Sequence, residues 1–229
     1  MENTPVAVEE FLKLSEEFPM IDVRSSGEFE HGHFPCANNI ALFDNEERTK
    51  VGTTYKKIGR QEAIKLGLEL VGPKLSGFVQ QAQELLRVRQ SKEGYPQGKT
   101  RIPTLLVYCW RGGMRSANFA WLLNLSGIKT FTLRQGYKAY RNFVLKSFER
   151  EARIVILGGT TGSGKTEILH EIRKRNEQIV DLEGLAHHKG SSFGAIGQEM
   201  QLPQEAFENK LAEIWNSLDF SKRIWVEYE

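Results

Sequence analysis

Two short apolar runs, each followed by a glycine-containing turn and a helical segment, predict an α/β protein built from parallel sheets in two successive units. The first run, residues 102–108 (IPTLLVY), leads into Cys109, Trp110, Arg111, Gly112, Gly113, Met114, Arg115 and Ser116. The second, residues 153–157 (RIVIL), leads into Gly159, Thr160, Thr161, Gly162, Ser163, Gly164, Lys165 and Thr166. A short continuous apolar run suits a strand buried in a parallel sheet. Open α/β sheets bind their ligands at the carboxyl ends of such strands.

The other elements follow in chain order. Residues 20–23 form a short strand ending in Asp22 and Arg24. Residues 38–71 are less distinct, but Ile58, Ala63, Ile64, Leu66 and Leu70 have helical spacing across 56–70. A second helix is predicted over 75–89. Residues 91–101 (SKEGYPQGKTR) are a loop by their glycine, proline and charge. Residues 116–125 read as a helix stopped by Gly127, and 128–133 as the next strand. Residues 137–150 read as a connecting helix, with the domain boundary near residue 148. The expected division is therefore 1–148 and 149–229. After RIVIL, a helix runs to about residue 175, and residues 179–182 and 224–227 are further strands. A sheet of this second kind normally has more than three strands, so the second unit is expected to continue beyond Glu229.

Composition sets the outer bounds. Of 229 residues, 40% are hydrophobic and 26% charged, which fits packed soluble domains rather than bulk disorder. No apolar run reaches the roughly 18 residues of a membrane span. The first residues, MENTPVAVEEF, lack the basic and apolar stretches of a secretory signal. Two cysteines, Cys36 and Cys109, do not make a disulfide framework, and a reducing cytoplasm is the expected location. Residues 1–150 hold 22 basic and 16 acidic side chains, against 9 and 13 in the remainder, so the first part is the better suited to a polyanion.

Residues 159–166 fit G-x-x-x-x-G-K-[ST] between a strand and a helix, the context this phosphate-binding P-loop requires. The glycines let backbone N–H groups curl around phosphate oxygens, and the helix N-terminus adds its positive dipole end. Lys165 reaches outer phosphates and Thr166 offers a hydroxyl to Mg²⁺. An acid supporting the metal usually ends a later strand. Glu227 is the first candidate and Asp181 the second. The motif leaves open whether ATP, GTP or another phosphorylated ligand binds.

The loop 109–116 likewise opens a helix. Its backbone donors, the helix dipole, Arg111 and Arg115 favour a thiolate at Cys109 and would steady an added anion. Cys109, Arg111 and Arg115 are thus the candidate catalytic groups. Trp110, Gly112, Gly113, Met114 and Ser116 are the candidate cradle.

This loop resembles that of the rhodanese family, as do Asp22-Val23-Arg24 with Glu28-Phe29, and the stretch Gly32-His33-Phe34-Pro35-Cys36-Ala37-Asn38-Asn39-Ile40. The resemblance makes the first unit a rhodanese-like parallel-sheet domain and the second a P-loop NTPase-like α/β domain, incomplete at its C-terminus. Cys36 stands where that family usually has glycine. Five residues separate Cys109 from Arg115, where single-domain rhodaneses generally have four. A wider loop admits a bulkier tetrahedral anion, as in related phosphatases and arsenate reductases.

With the P-loop, the segments LFDNEERTKVGT (42–53), LRQGYKAYR (133–141) and LEGLAHHKGSSFG (182–194), the whole is similar to the tRNA 2-selenouridine synthases. That resemblance implies a transferase acting on 2-thiouridine at the wobble position of tRNA. The sulfur is first geranylated from geranyl diphosphate and then replaced by selenium from selenophosphate. It implies Cys109 in selenation, the P-loop on the diphosphate, and an enzyme supplying selenophosphate as a partner. Two other readings stand beside it: a cysteine-dependent phosphatase or arsenate reductase-like enzyme, and a non-catalytic nucleotide-binding module.

Lys138, Arg141, Lys146 and Arg150 recur on the connecting helix with Tyr137, Tyr140, Phe143 and Phe148 between them. They are candidate tRNA contacts, or the solvated side of a helix whose aromatics are core. His187, His188 and Lys189 suggest a loop closing over a ligand.

Overall fold

The structure, a computed structural model, describes residues 3–90, 102–160, 162–187 and 201–227. It divides into two compact units between Tyr140 and Arg141, whereas the sequence suggests a boundary near 148. The predicted loop 91–101 lies outside the described residues, as do Thr161, His188 and Lys189.

The first unit contains β1 (Thr4–Val6), α1 (Val8–Ser15), β2 (Met20–Asp22), α2 (Ser26–His31), β3 (Ala37–Asn39), α3 (Asn45–Lys57), α4 (Arg60–Val71), α5 (Leu75–Gln90), β4 (Thr104–Tyr108), α6 (Met114–Leu125) and β5 (Lys129–Leu133). A single 3-10 turn, Gly72–Lys74, joins α4 to α5. Its sheet is wholly parallel in the order β1-β5-β4-β2-β3. The central strand β4 is buried at all five positions, as its apolar run predicts. One layer of the core joins Ile21, Val23, Leu105, Val107 and Phe119 with Phe78 and Ala82 of α5. Burial of this kind contributes about 25 cal/mol per Å² of apolar surface and dominates the unit's stability.

Beneath the carboxyl ends of β2 and β4 lies a buried charge. Arg24 donates to both carboxylate oxygens of Asp22 and to the Gly32 carbonyl at 2.7 Å. Its guanidinium also sits 3.8 Å from the Tyr137 ring centre. A charge this deep persists only when paired and hydrogen-bonded. Burial alone would push the Arg24 guanidinium down, but the hydrogen bond and charge of Asp22 outweigh it and hold it above its ordinary value.

The predicted helix over 56–70 is corrected to two helices. Gly59 adopts φ 133°, a region open to glycine and strained for other residues, and the chain turns there between α3 and α4. Asp44 begins α3 by accepting from the Glu47 N–H at 2.8 Å, completing a capping box.

Helix α7 (Gly136–Ser147) spans the division between the units. Then come β6 (Arg153–Leu157), α8 (Lys165–Lys174), β7 (Gln178–Val180), α9 (Leu182–Ala186), α10 (Gln204–Asn216) and β8 (Arg223–Glu227). Among the described residues, the second sheet has three parallel strands in the order β6-β8-β7. Strand β6 has the predicted bounds but is not buried. It lies at the sheet edge with Ile154 and Ile156 exposed. No described helix is long and apolar enough to cross a membrane.

Candidate functional site

Cys109 follows β4 directly and is 2% exposed. Its Sγ lies 3.2 Å from the Ser116 hydroxyl, which also donates to the Gly113 carbonyl at 3.2 Å. Because α6 begins at Met114, the first N–H groups of a helix lie beside the sulfur. Gly112, Gly113, Met114 and Arg111 are exposed along the loop, while Trp110 is half-buried near Tyr137.

Arg115 does not stand free. It donates to Glu28 at 2.8 and 3.4 Å, and Glu28 also closes the capping box of α2 with Ser25. Arg48 adds a contact to Glu28 at 3.4 Å. Glu28 is the positioning group behind Arg115, and the D-V-R-x-x-x-E pattern was its only signal in the sequence. Burial pushes the Glu28 carboxyl up, but the hydrogen bond and charge of Arg115 outweigh it and hold it below its ordinary value. A depressed carboxylate stabilises the fold above its unfolded pKa, and that stabilisation is lost as pH falls through the folded value. Glu28→Gln should therefore cost about 1.5–3 kcal/mol at neutral pH, the scale of a hydrogen bond to a charged group. In thermal denaturation the gap between variant and wild type should close on acidification. A gap independent of pH would remove the ion pair from this role.

The turn after β5 and the first residues of α7 clamp the cysteine loop. The Tyr137 N–H donates to the Cys109 carbonyl at 2.8 Å and the Lys138 N–H to the Trp110 carbonyl at 3.0 Å. Gln135, Gly136 and Gly112 all have φ near +60°. Gly136 approaches the Cys109 carbonyl and the Gly112 N–H so closely that a Cβ would collide with both. Nothing in the sequence pattern signals this clamp, because Gly112 and Gly136 meet only in the fold.

In the second unit, Lys165 is buried with its ammonium inside the phosphate loop, donating to the Gly159 and Thr160 carbonyls at 3.0 and 3.2 Å. Gly162 and Gly164 have φ 78° and 79°, which their lack of a Cβ permits. Ser163 N–H donates back to the Thr160 carbonyl at 3.1 Å.

Glu227, the first-choice acid, is buried at the end of β8. Its Oε2 accepts from the Thr166 hydroxyl at 3.4 Å and its Oε1 from the Glu183 N–H at 3.0 Å. Burial, together with the neighbouring Asp181 and Glu183 charges, raises its carboxyl above the ordinary value. A hydroxyl and a carboxylate side by side, with the Asp181 and Glu183 carboxylates nearby, fit Mg²⁺, which would be held by Thr166 and Glu227. Asp181 is occupied differently. It caps α9 by accepting from the Gly184 N–H at 2.7 Å and lies 3.3 Å from His170. His187 is the left-handed C-cap of α9. No cluster of three metal-ligating side chains occurs among the described residues. An apolar groove of about 320 Å³ is lined by Phe148, Ile156, Leu182, Leu211 and Trp215 among others, with Glu227 also in its wall.

Of the candidate RNA contacts, Lys138 and Lys146 are exposed. Arg141 is engaged with Glu208 and Asn209 of α10, and the Arg150 guanidinium lies 3.9 Å from the Phe220 ring centre. Tyr137 and Tyr140 are buried core and not free for stacking.

Residues 7–143 match the Rhodanese-like domain model, and residues 152–229 match the tRNA 2-selenouridine synthase AAA domain model. The tRNA 2-selenouridine synthase of Serratia proteamaculans (strain 568) is 41% identical over 201 residues, which cover 86% of this chain and 49% of that protein. The one from Shewanella frigidimarina (strain NCIMB 400) is 40% identical over 202 residues, covering 87% and 50%. The chain thus spans about half the length of these curated relatives. A crystal structure of an N-terminal domain from Clostridium difficile 630 is similar with a TM-score of 0.53 at 39% identity, covering 62% of this chain and 99% of that one.

Proposed function

The chain belongs to the rhodanese-like family and continues into the AAA domain of the tRNA 2-selenouridine synthases, and on that footing we propose that it serves in replacing the sulfur of 2-thiouridine in tRNA by selenium. The observation that carries this reading is the pair of anion-binding loops in one chain. One is built around the Cys109 sulfur and the other around the Lys165 ammonium.

The phosphate loop is the site for geranyl diphosphate. The thiouridine sulfur attacks the allylic carbon of the prenyl group, the carbon–oxygen bond breaks, and diphosphate leaves while the base gives up its N3 proton. Charge builds on the departing diphosphate. The Lys165 ammonium, the loop N–H groups and the dipole of α8 neutralise it. Mg²⁺ at Thr166 and Glu227 would add a second positive charge there. The apolar groove that shares Glu227 with this site supports a prenyl group over a nucleoside as the ligand's other half.

The cysteine loop is the site for selenophosphate, a tetrahedral anion for which a five-residue loop has room. Selenium bonds to C2 of the base, the geranyl thiolate leaves and takes a proton, and water cleaves the phosphorus–selenium bond to give phosphate. Cys109 is the group that handles the selenium donor, held by Ser116 and the α6 N-terminus.

The test is to incubate the protein with geranyl diphosphate, selenophosphate and 2-thiouridine tRNA, then digest and weigh the nucleosides. Geranylated and selenated uridines are expected. Lys165→Ala should reduce geranylation by about a hundredfold or more, the scale of losing one charge-stabilising donor. Unchanged geranyl transfer would place the diphosphate elsewhere. A phosphate monoester and arsenate run in parallel test the phosphatase and reductase readings.

A further inference from the structure

We infer that the tip of the α3–α4 hairpin, Tyr55 to Arg60, is the surface by which the cysteine-bearing unit grips RNA. This deepens the function proposed above and rests on it. The Arg60 guanidinium lies 4.0 Å from Met114 Sδ, so the tip flanks the cysteine loop. Lys56, Lys57 and Arg60 are exposed, and none forms an ion pair among the described residues. The one acid in this turn of chain is the exposed Glu62, in the first turn of α4.

Helix electrostatics explains only part of this cluster. Lys56 and Lys57 suit the C-terminus of α3, where a cation meets the negative end of the dipole. Arg60 is the first residue of α4, where a cation opposes the dipole. It is at odds with its own helix and well placed for an anion outside it.

The apolar side chains point to the same ligand. Tyr55 is 59% exposed and Ile58 is 70% exposed, at the same tip. An exposed aromatic ring among cations suits nucleic acid, because the cations meet phosphates while the ring stacks on an unpaired base. The wobble nucleoside lies in a single-stranded loop whose bases can splay outward. Lys138 is also exposed, and its N–H is bonded to the Trp110 carbonyl of the cysteine loop. Both Arg60 and Lys138 therefore adjoin the cysteine loop. Arg141 and Arg150, by contrast, already have partners within their own unit.

The test measures binding of a synthetic anticodon stem-loop bearing 2-thiouridine to the 229-residue chain, by fluorescence anisotropy across a salt series. Lys56→Ala/Lys57→Ala/Arg60→Ala should weaken binding about tenfold or more and flatten the log–log salt slope by about 2. Tyr55→Ala should weaken binding about tenfold with the slope unchanged, since stacking releases no counterions. The equal charge loss in Lys13→Ala/Arg87→Ala/Lys174→Ala, at exposed sites on other helices, should change affinity by no more than about twofold. Equal losses in the two triple variants would overturn the inference, because net charge alone would then explain binding. Wild-type affinity in the hairpin variants would overturn it too, and would leave the function standing. A wild-type chain that binds no stem-loop at low salt overturns both.

Discussion

Cys109→Ser is expected to abolish selenium insertion, by about a thousandfold or more, while the protein stays folded and binds RNA like the wild type. The side chain is 2% exposed and its polar neighbour is the Ser116 hydroxyl at 3.2 Å. Serine keeps the size and the hydrogen bond but removes the polarisable sulfur that a selenium donor requires. Ser116→Ala tests the cradle instead of the nucleophile and should cost far less. The decisive version supplies the intermediate. When the RNA is already geranylated, Lys165→Ala should recover selenation, because its defect lies in the earlier step. Cys109→Ser should not. The readout is nucleoside mass spectrometry, with circular dichroism and RNA affinity as controls for folding and binding. Full-rate selenouridine formation by Cys109→Ser would remove the cysteine from the reaction.

Legibility in the sequence followed the range of the interactions. The two loops were readable because each is a contiguous stretch whose backbone, dipole and side chains act locally. Strand β6 was found with its bounds intact for the same reason. Its exposure was not readable, since RIVIL reads alike at an edge and in a centre, and only the order β6-β8-β7 distinguishes them. The three-residue strands β1 and β3 are too short to show a period. One helical period fits 56–70 because Ala63, Leu66 and Leu70 of α4 set it, and Ile58, exposed beyond the Gly59 break, is counted with them. Arg141 and Arg150 looked like open cations because their partners, Glu208 and Phe220, lie some 70 residues away in the chain. Glu227 can be singled out from position alone, at the end of a late strand, and its carboxylate accepts from the Thr166 hydroxyl at 3.4 Å.

The least legible feature makes the other large prediction. Gly136 is 24 residues from Gly112, a separation that no periodicity connects, yet the two backbones touch. A Cβ on Gly136 would collide with the Cys109 carbonyl and the Gly112 N–H, and would lie 2.8 Å from the Arg111 N–H. None of these is a side chain that can swing aside. The residue's φ of +60° adds strain of about 1–2 kcal/mol for any L side chain. Overpacking against fixed backbone adds about 1–3 kcal/mol. Gly136→Ala should therefore destabilise the first unit by about 3 kcal/mol or more in urea denaturation, and the cysteine loop should lose its activity even where the fold survives. Gly127→Ala is the internal reference. Gly127 has φ +83° but nothing within 4 Å of the Cβ position, so it should show the strain alone, about 1–2 kcal/mol. If the two variants prove equally stable, the collision has been relieved by movement. The start of α7 is then not the clamp that holds Cys109 against the α6 N-terminus.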